Sequence, residues 1–327
     1  MTIDDSRERD RDGDNRGRDA AGPTAIPRRG WRDILIRVWR ESSADNIGLV
    51  AAGVAFYAFL ALVPLLAAFV MIYGLVADPT TVMKHIVVLF TIMPADAARL
   101  ISEQMINVTQ QAQGKTGFGA LLALGLSIYG AMRGASAIVT ALNIAYDEEE
   151  KRGIVTLTLL ALAITIIAII VSVIAALAIS ALALLERLMP GAPHWIIVLI
   201  RTAFWCLAAL AASSAIAAVY RYAPNRRKAQ WRWLTPGSVL ATLAWLATAL
   251  GFGFYTANMA HYNATYGALG SVVALLMWLY LSAYVLLLGA ELNSELEHQT
   301  AVDTTAGQPR PMGLRGAYVA DTLGETP

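Results

Sequence analysis

Six stretches of this chain are long and apolar enough to cross a lipid bilayer, and that constrains its fold more than any other feature. A helical crossing takes roughly 20 predominantly apolar residues to traverse about 30 Å of hydrocarbon. Residues 47–76, 117–141, 154–185, 196–220, 234–260 and 267–290 meet this condition, and only Arg133 and Arg201 place a charge within them. The first and third exceed the minimum, so tilt or protrusion is expected there. The predicted fold class is an all-α integral membrane protein, a bundle of about six transmembrane helices with an external amphipathic helical segment. Composition agrees, because 57% of residues are hydrophobic and 20 of the 49 charged residues fall within the first 47 positions. Such a body carries more apolar surface than a water-soluble domain can hide.

Three regions follow from this pattern. Residues 1–30 alternate acids, arginines and glycines with few aliphatic side chains, which predicts a disordered tail. No short apolar run with a cleavage site follows the first residues, so this head does not read as a signal peptide. Residues 31–297 form the transmembrane domain, and residues 298–327, rich in Thr, Gly and Pro, read as a second disordered tail. Trp31, Ile34, Leu35, Val38 and Trp39 recur at helical spacing with Arg32, Arg37 and Arg40 between them, the pattern of a helix lying on a membrane surface. Between the first two spans, Ala97, Leu100, Ile101, Met105 and Val108 share one helical face, which predicts an amphipathic cap; the same surface would serve as a gate or partner-binding face. Connecting segments on one side carry 19 lysines and arginines against 4 on the other. Positive charge favours the cytoplasm, so both termini are expected there.

Chemistry concentrates in the second span. Tyr129, Arg133, Ser136, Thr140 and Asn143 recur at steps of four, three, four and three, beside Gly130, Gly134, Ala137 and Ala141. Small residues of this kind let a neighbouring helix approach closely. An arginine at this depth costs about 2.5–3.5 kcal/mol on insertion scales, so it is expected to face the bundle interior or a wet cavity. Two readings stay open: an internal ion pair or helix–helix hydrogen bonds, or an anchor for an anionic substrate group. Pro64 removes a backbone donor in the middle of the first span, which frees the Leu60 carbonyl, is expected to kink that helix and can border a cavity. Tyr57 lies two turns earlier. Tyr280, Tyr284 and Glu291 repeat the stripe weakly in the last span, where Glu291 reads more simply as a solvated helix end running into Glu295 and Glu297. The run Asp147 to Glu150, followed by Lys151 and Arg152, reads as a solvated loop.

Other chemistries find little support. The four histidines show no metal-ligand spacing with one another or with the lone Cys206, so no metal or cofactor is expected. No Walker loop, nucleophile elbow or zinc-protease helix occurs, which argues against an ATP-driven pump or membrane hydrolase.

Several short motifs carry a family resemblance: Ala55-Phe56-Tyr57 with Leu62-Val63-Pro64; Arg133-Gly134; Leu142-Asn143-Ile144-Ala145-Tyr146; Tyr220 with Pro224; Pro236-Gly237; Tyr266-Gly267; Trp278-Leu279-Tyr280; and Gly289-Ala290-Glu291-Leu292-Asn293. In this order, across residues 30 to 297, they resemble the YihY/BrkB family of bacterial inner-membrane proteins, historically called ribonuclease BN. The resemblance implies a six-span inner-membrane protein tied to envelope homeostasis and described as a transporter. It supplies neither a substrate nor catalytic residues.

The leading expectation is a non-enzymatic transporter or translocase of an amphiphilic or anionic, lipid-like compound. Its candidate cavity is formed by Tyr57, Pro64, Tyr129, Arg133, Ser136, Thr140, Asn143, Tyr280, Tyr284 and Glu291. A non-transporting membrane scaffold or assembly factor is the alternative. A ribonuclease would need clustered carboxylates or histidines to hold metal ions, which the cytoplasmic segments do not offer. The expected partners are therefore the lipid bilayer and that substrate, with no nucleic acid, and a homo-oligomer is compatible with the small-residue faces.

Overall fold

The computed structural model describes residues 16–73, 118–189, 193–258 and 268–327. Within them the chain is helical. The elements are α1 (Arg28–Ala44), α2 (Ile47–Tyr73), α3 (Phe118–Ala145), α4 (Ile154–Leu188), α5 (His194–Tyr222), α6 (Trp231–Asn258), α7 (Ala268–His298) and the short α8 (Tyr318–Asp321). Among the described residues, β pairing is limited to an isolated bridge between Ala229 and Thr305. Five helices, α3 to α7, are long and apolar enough to cross a membrane, and a sixth span arises if α1 and the start of α2 count together across their 61° bend. The amphipathic segment expected within 77–116 lies outside the described residues.

Small residues set the helix crossings. A methyl group added at Gly130 would lie 2.8 Å from Cγ of Pro64, and one at Gly134 would lie 3.2 Å from Cβ of Ala61. The Gly130/Gly134 pair of α3 is therefore the notch into which α2 packs, as the sequence pattern predicts. Helix α2 continues through Pro64, whose ring occupies that notch. At the α6–α7 crossing, Gly237 and Gly289 face each other so closely that a Cβ on Gly289 would lie 2.6 Å from the Gly237 carbonyl oxygen and 2.6 Å from the Tyr220 hydroxyl. Helix α7 is the hub, touching α1, α2, α3, α6 and α8. Helices α4 and α5 lie outermost; none of the apolar window of α5 is buried. Their exposed Leu159, Ile167, Leu207 and Leu210 suit contact with acyl chains, and Cys206 is exposed on the same outer helix.

Among the described residues, a large buried cluster lies at the end of the bundle where the chain termini gather. Ile47, Leu142, Tyr146, Tyr220, Leu234, Leu287 and Val319 belong to it. The two bends at this end use left-handed residues. Asn46, at φ 52°, turns the chain from α1 into α2, and Asp147, at φ 52°, closes α3. Asn and Asp tolerate this region better than most residues with a Cβ. The Glu148 amide donates to the Asn143 carbonyl at 2.8 Å and the Asp147 amide to the Ile144 carbonyl at 2.9 Å, which caps the last turn of α3.

Both terminal segments, expected to be disordered, are packed where they are described. Residues 1–15 lie outside the described residues, so the correction concerns 16–30 and 298–327. Arg18 donates to the Gly324 carbonyl at 2.7 Å, and the Ala301 amide donates to the Arg18 carbonyl at 2.7 Å, so head and tail hold each other. Arg315 donates to the carbonyls of Ala320 and Ala301, each at 2.6 Å. Asp321 accepts the amides of Gly313, Arg315 and Gly316 at 2.7–3.0 Å. Gln299, Thr300 and Thr304 are fully buried. Composition misleads here because it counts apolar area, whereas these segments are ordered by satisfied buried polar groups.

Candidate functional site

A groove of about 420 Å³ runs along the α2–α3 crossing. Val50, Gly53, Val54 and Tyr57, spaced for one face of α2, form one wall; Arg133, Ser136, Ala137, Thr140, Ala141 and Ile144 of α3 form the other. At 1.5 Å per residue, Arg133 sits roughly 18 Å from the Ala145 end of α3, near the middle of this 28-residue helix. Arg133 has no carboxylate partner among the described residues, so the ion-pair reading of this arginine finds no support within them. The Thr140 hydroxyl donates to the Ser136 carbonyl at 3.1 Å. Gly53 keeps its part of the groove open, since a Cβ there would meet nothing within 4 Å.

Four of the ten sequence candidates, Tyr57, Arg133, Ser136 and Thr140, thus share one groove. Pro64 borders it indirectly by seating Gly130. Tyr129 is 60% exposed, one turn beyond the lining. Asn143 departs from the stripe: it is buried, accepts the Asn225 amide at 2.8 Å and donates to Glu150 at 2.9 Å. Tyr280 and Tyr284, with ring centroids 6.1 Å apart, pack against the buried cluster. Glu291 is 1% exposed, and its Oε1 has no hydrogen-bond partner among the described residues. The reading of Glu291, Glu295 and Glu297 as a solvated helix end is therefore corrected. All three carboxylates are buried, and the folded tail covers the end of α7 at Glu297, where Thr304 donates to that carboxylate.

In their place lies a buried ionic network that the sequence did not reveal. Arg37 of α1 pairs with Glu295 and donates to Gln299 at 2.8 Å and to the Glu295 carbonyl at 3.1 Å. Arg226 pairs with Glu297 at 2.6 Å and lies 5.0 Å above the Tyr146 ring, while Thr304 donates to Glu297 at 2.6 Å. Asn293 accepts the Gly237 amide at 2.8 Å and donates to the Leu234 carbonyl at 3.2 Å, which ties α7 to the start of α6. The acidic loop is only partly solvated. Hydrogen bonds from Arg152 hold the Glu150 carboxyl down at about 2, despite an opposing effect of burial, and Glu148 accepts the Tyr318 amide at 2.8 Å. One signal was available: Asn293 and Glu297, like Glu291 and Glu295, are one helical turn apart, and an arginine-rich α1 and α5–α6 loop could supply their counter-charges.

The packed core, the paired glycines and the Asn143 cap use the same motifs that suggested a family. The family model for the virulence factor BrkB matches residues 38–312. The chain belongs to the BrkB family. Among its relatives, a Bacillus subtilis protein named as ribonuclease-like, YfkH, is 32% identical over 208 residues, covering 62% of this chain and 74% of the relative. A UPF0761 membrane protein of Alteromonas mediterranea is 27% identical over 276 residues, 81% of this chain and 88% of its own. One from Paraburkholderia xenovorans is 28% identical over 262 residues, 79% of this chain but 58% of that longer relative. No solved structure matches. The BrkB-family chain is thus a membrane protein, and its relatives' names state nothing of a substrate.

Proposed function

We propose that this BrkB-family protein moves an anionic amphiphile across a bacterial inner membrane, with the α2–α3 groove as its route and both termini in the cytoplasm. The observation that carries the reading is Arg133, placed mid-helix without a carboxylate partner among the described residues, on a groove that also presents Tyr57, Ser136 and Thr140. A charge kept in a membrane span despite its insertion cost marks a substrate or ion pathway. The guanidinium suits a phosphate or carboxylate head, and Val50, Val54 and Ile144 suit a hydrocarbon chain. The arginine excess around the termini supports the orientation.

The ribonuclease-like name of one relative suggests a different activity. Among the described residues no three His, Cys, Asp or Glu come together to hold a metal ion, and we favour a non-enzymatic role. The test is proteoliposome transport of a fluorescent short-chain phosphatidylglycerol by wild type, Arg133→Lys and Arg133→Ala. Transport should fall in the order given. Equal transport by all three at equal protein level would remove the groove from the mechanism. A stoichiometric membrane-protein partner crosslinked along α5, with no transport in any variant, would favour a scaffold.

A further inference from the structure

Helix α1 is built the wrong way round for a water-exposed helix. Its inward face, Gly30, Asp33, Ile34, Arg37 and Val38, buries an acid and an arginine, whereas its outward face leaves Leu35 58% and Trp39 77% exposed. The 61° bend at Asp45 and Asn46 turns α1 sideways from α2, so that a membrane-crossing α2 lays α1 toward the interfacial plane. On the outward face, Arg28, Trp31, Arg32, Leu35, Trp39 and Arg40 line a shallow cavity of about 670 Å³. Arg37 on the opposite face is taken by Glu295, and Arg16 by Asp33. By contrast, Arg28, Arg32 and Arg40 have no carboxylate partner among the described residues.

From this we infer that the outward face of α1 is a binding site for an anionic phospholipid, on the side of the membrane where the chain termini gather. The three guanidiniums match the lipid phosphate in charge and in donor geometry. Trp31 and Trp39 suit the headgroup level, with an apolar ring and a polar N–H, while Leu35 meets the first carbons of the acyl chain. Charge complementarity selects an anionic over a zwitterionic lipid. Because the inner face is clamped to α7 through Arg37 and Glu295, the bound lipid would sit against a fixed platform and not a free tail. This site is separate from the α2–α3 groove.

The experiment uses full-length, delipidated protein in detergent, titrated with phosphatidylglycerol or phosphatidylcholine and read by native mass spectrometry. Wild type should prefer phosphatidylglycerol. The triple variant Arg28→Gln/Arg32→Gln/Arg40→Gln should bind it at least about tenfold more weakly, the corresponding triple lysine variant, which keeps the charge but loses the guanidinium fork, should fall between the two, and Lys151→Gln should match wild type. The same titration repeated in the Arg133→Ala background, where the α2–α3 groove has lost its charge, should show the same loss on the triple glutamine change, so failure of the transport proposal would not be mistaken for failure here. If the triple glutamine variant does not fold, the single glutamine variants should each show a partial loss. Equal affinity of wild type for the two lipids, undiminished binding by the folded glutamine variants, or displacement of phosphatidylglycerol by millimolar inorganic phosphate would each overturn the inference.

Discussion

Arg226 and Glu297 meet at 2.6 Å with side chains 2% and 0% exposed, so a loop arginine and a glutamate near the end of α7 form a dry ion pair. Removing one member leaves an uncompensated buried charge, which costs about 3–5 kcal/mol. Arg226→Met and Glu297→Met should each lower the thermal midpoint sharply in detergent. The double variant should be less destabilised than the two losses added together. Strict additivity in that cycle would show that the pair contributes nothing as a pair.

The Gly237–Gly289 crossing leaves no room for a side chain. Gly237→Ala or Gly289→Ala should destabilise the protein by about 1–3 kcal/mol through overpacking, despite the higher helix propensity of alanine. Gly251→Ala in the same α6 helix, where a Cβ meets nothing within 4 Å, should be neutral or stabilising. Similar unfolding midpoints for the crossing and control variants would contradict the close approach.

Asn46 turns α1 into α2 at φ 52°, and its side chain donates to the Ala44 carbonyl at 3.0 Å. Asn46→Gly should be tolerated, since glycine adopts this conformation without strain. Asn46→Val should cost about 1–3 kcal/mol. The comparison of the two midpoints is the check, and a valine variant as stable as the glycine variant would be inconsistent with the turn.

Burial, with help from the carboxylates of Asp147 and Glu41, pushes the Asp45 carboxyl up to about 6. A raised acid contributes stability that is full below its ordinary value and is lost as pH rises through about 6. Asp45→Asn should therefore flatten the fall in thermal midpoint between about pH 3.5 and about pH 7, a range that brackets both the ordinary aspartate value and the raised one. Glu150, held at about 2 by Arg152, acts oppositely. Its contribution is full above the ordinary glutamate range and is lost as pH falls toward 2, so Glu150→Gln should lower stability at neutral pH and converge with wild type in acid. A pH profile unchanged by both substitutions would contradict these environments.

Gly53 offers a functional test that spares the charge. A Cβ there meets nothing within 4 Å, so a leucine side chain would start in open space on the groove wall. Gly53→Leu should keep the unfolding midpoint yet reduce transport several-fold. Full transport by a well-folded Gly53→Leu protein would argue that nothing passes along this groove.

Much of the architecture could be read locally. The helices from Ile47–Tyr73 to Ala268–His298 follow the apolar runs, and the Gly130/Gly134 notch lies where the small-residue spacing puts it. Arg133, Ser136 and Thr140 share one groove wall because helical periodicity alone places side chains on a face. Asn143, Glu291 and the two terminal segments were not legible in this way, since their surroundings are supplied by distant chain.

Hydrophobic length and period are properties of neighbouring residues, so they specified the spans, the excess of arginines at one end and the mid-helix position of Arg133. Partner choice is a property of the folded chain. Arg37 and Glu295 are 258 positions apart, and Arg18 reaches a carbonyl 306 positions away. Such pairings hold buried charge and backbone polar groups together only after α1, the α5–α6 loop, α7 and the tail have converged, which is why tertiary structure alone turned two apparent tails and a helix end into the protein's packed polar core.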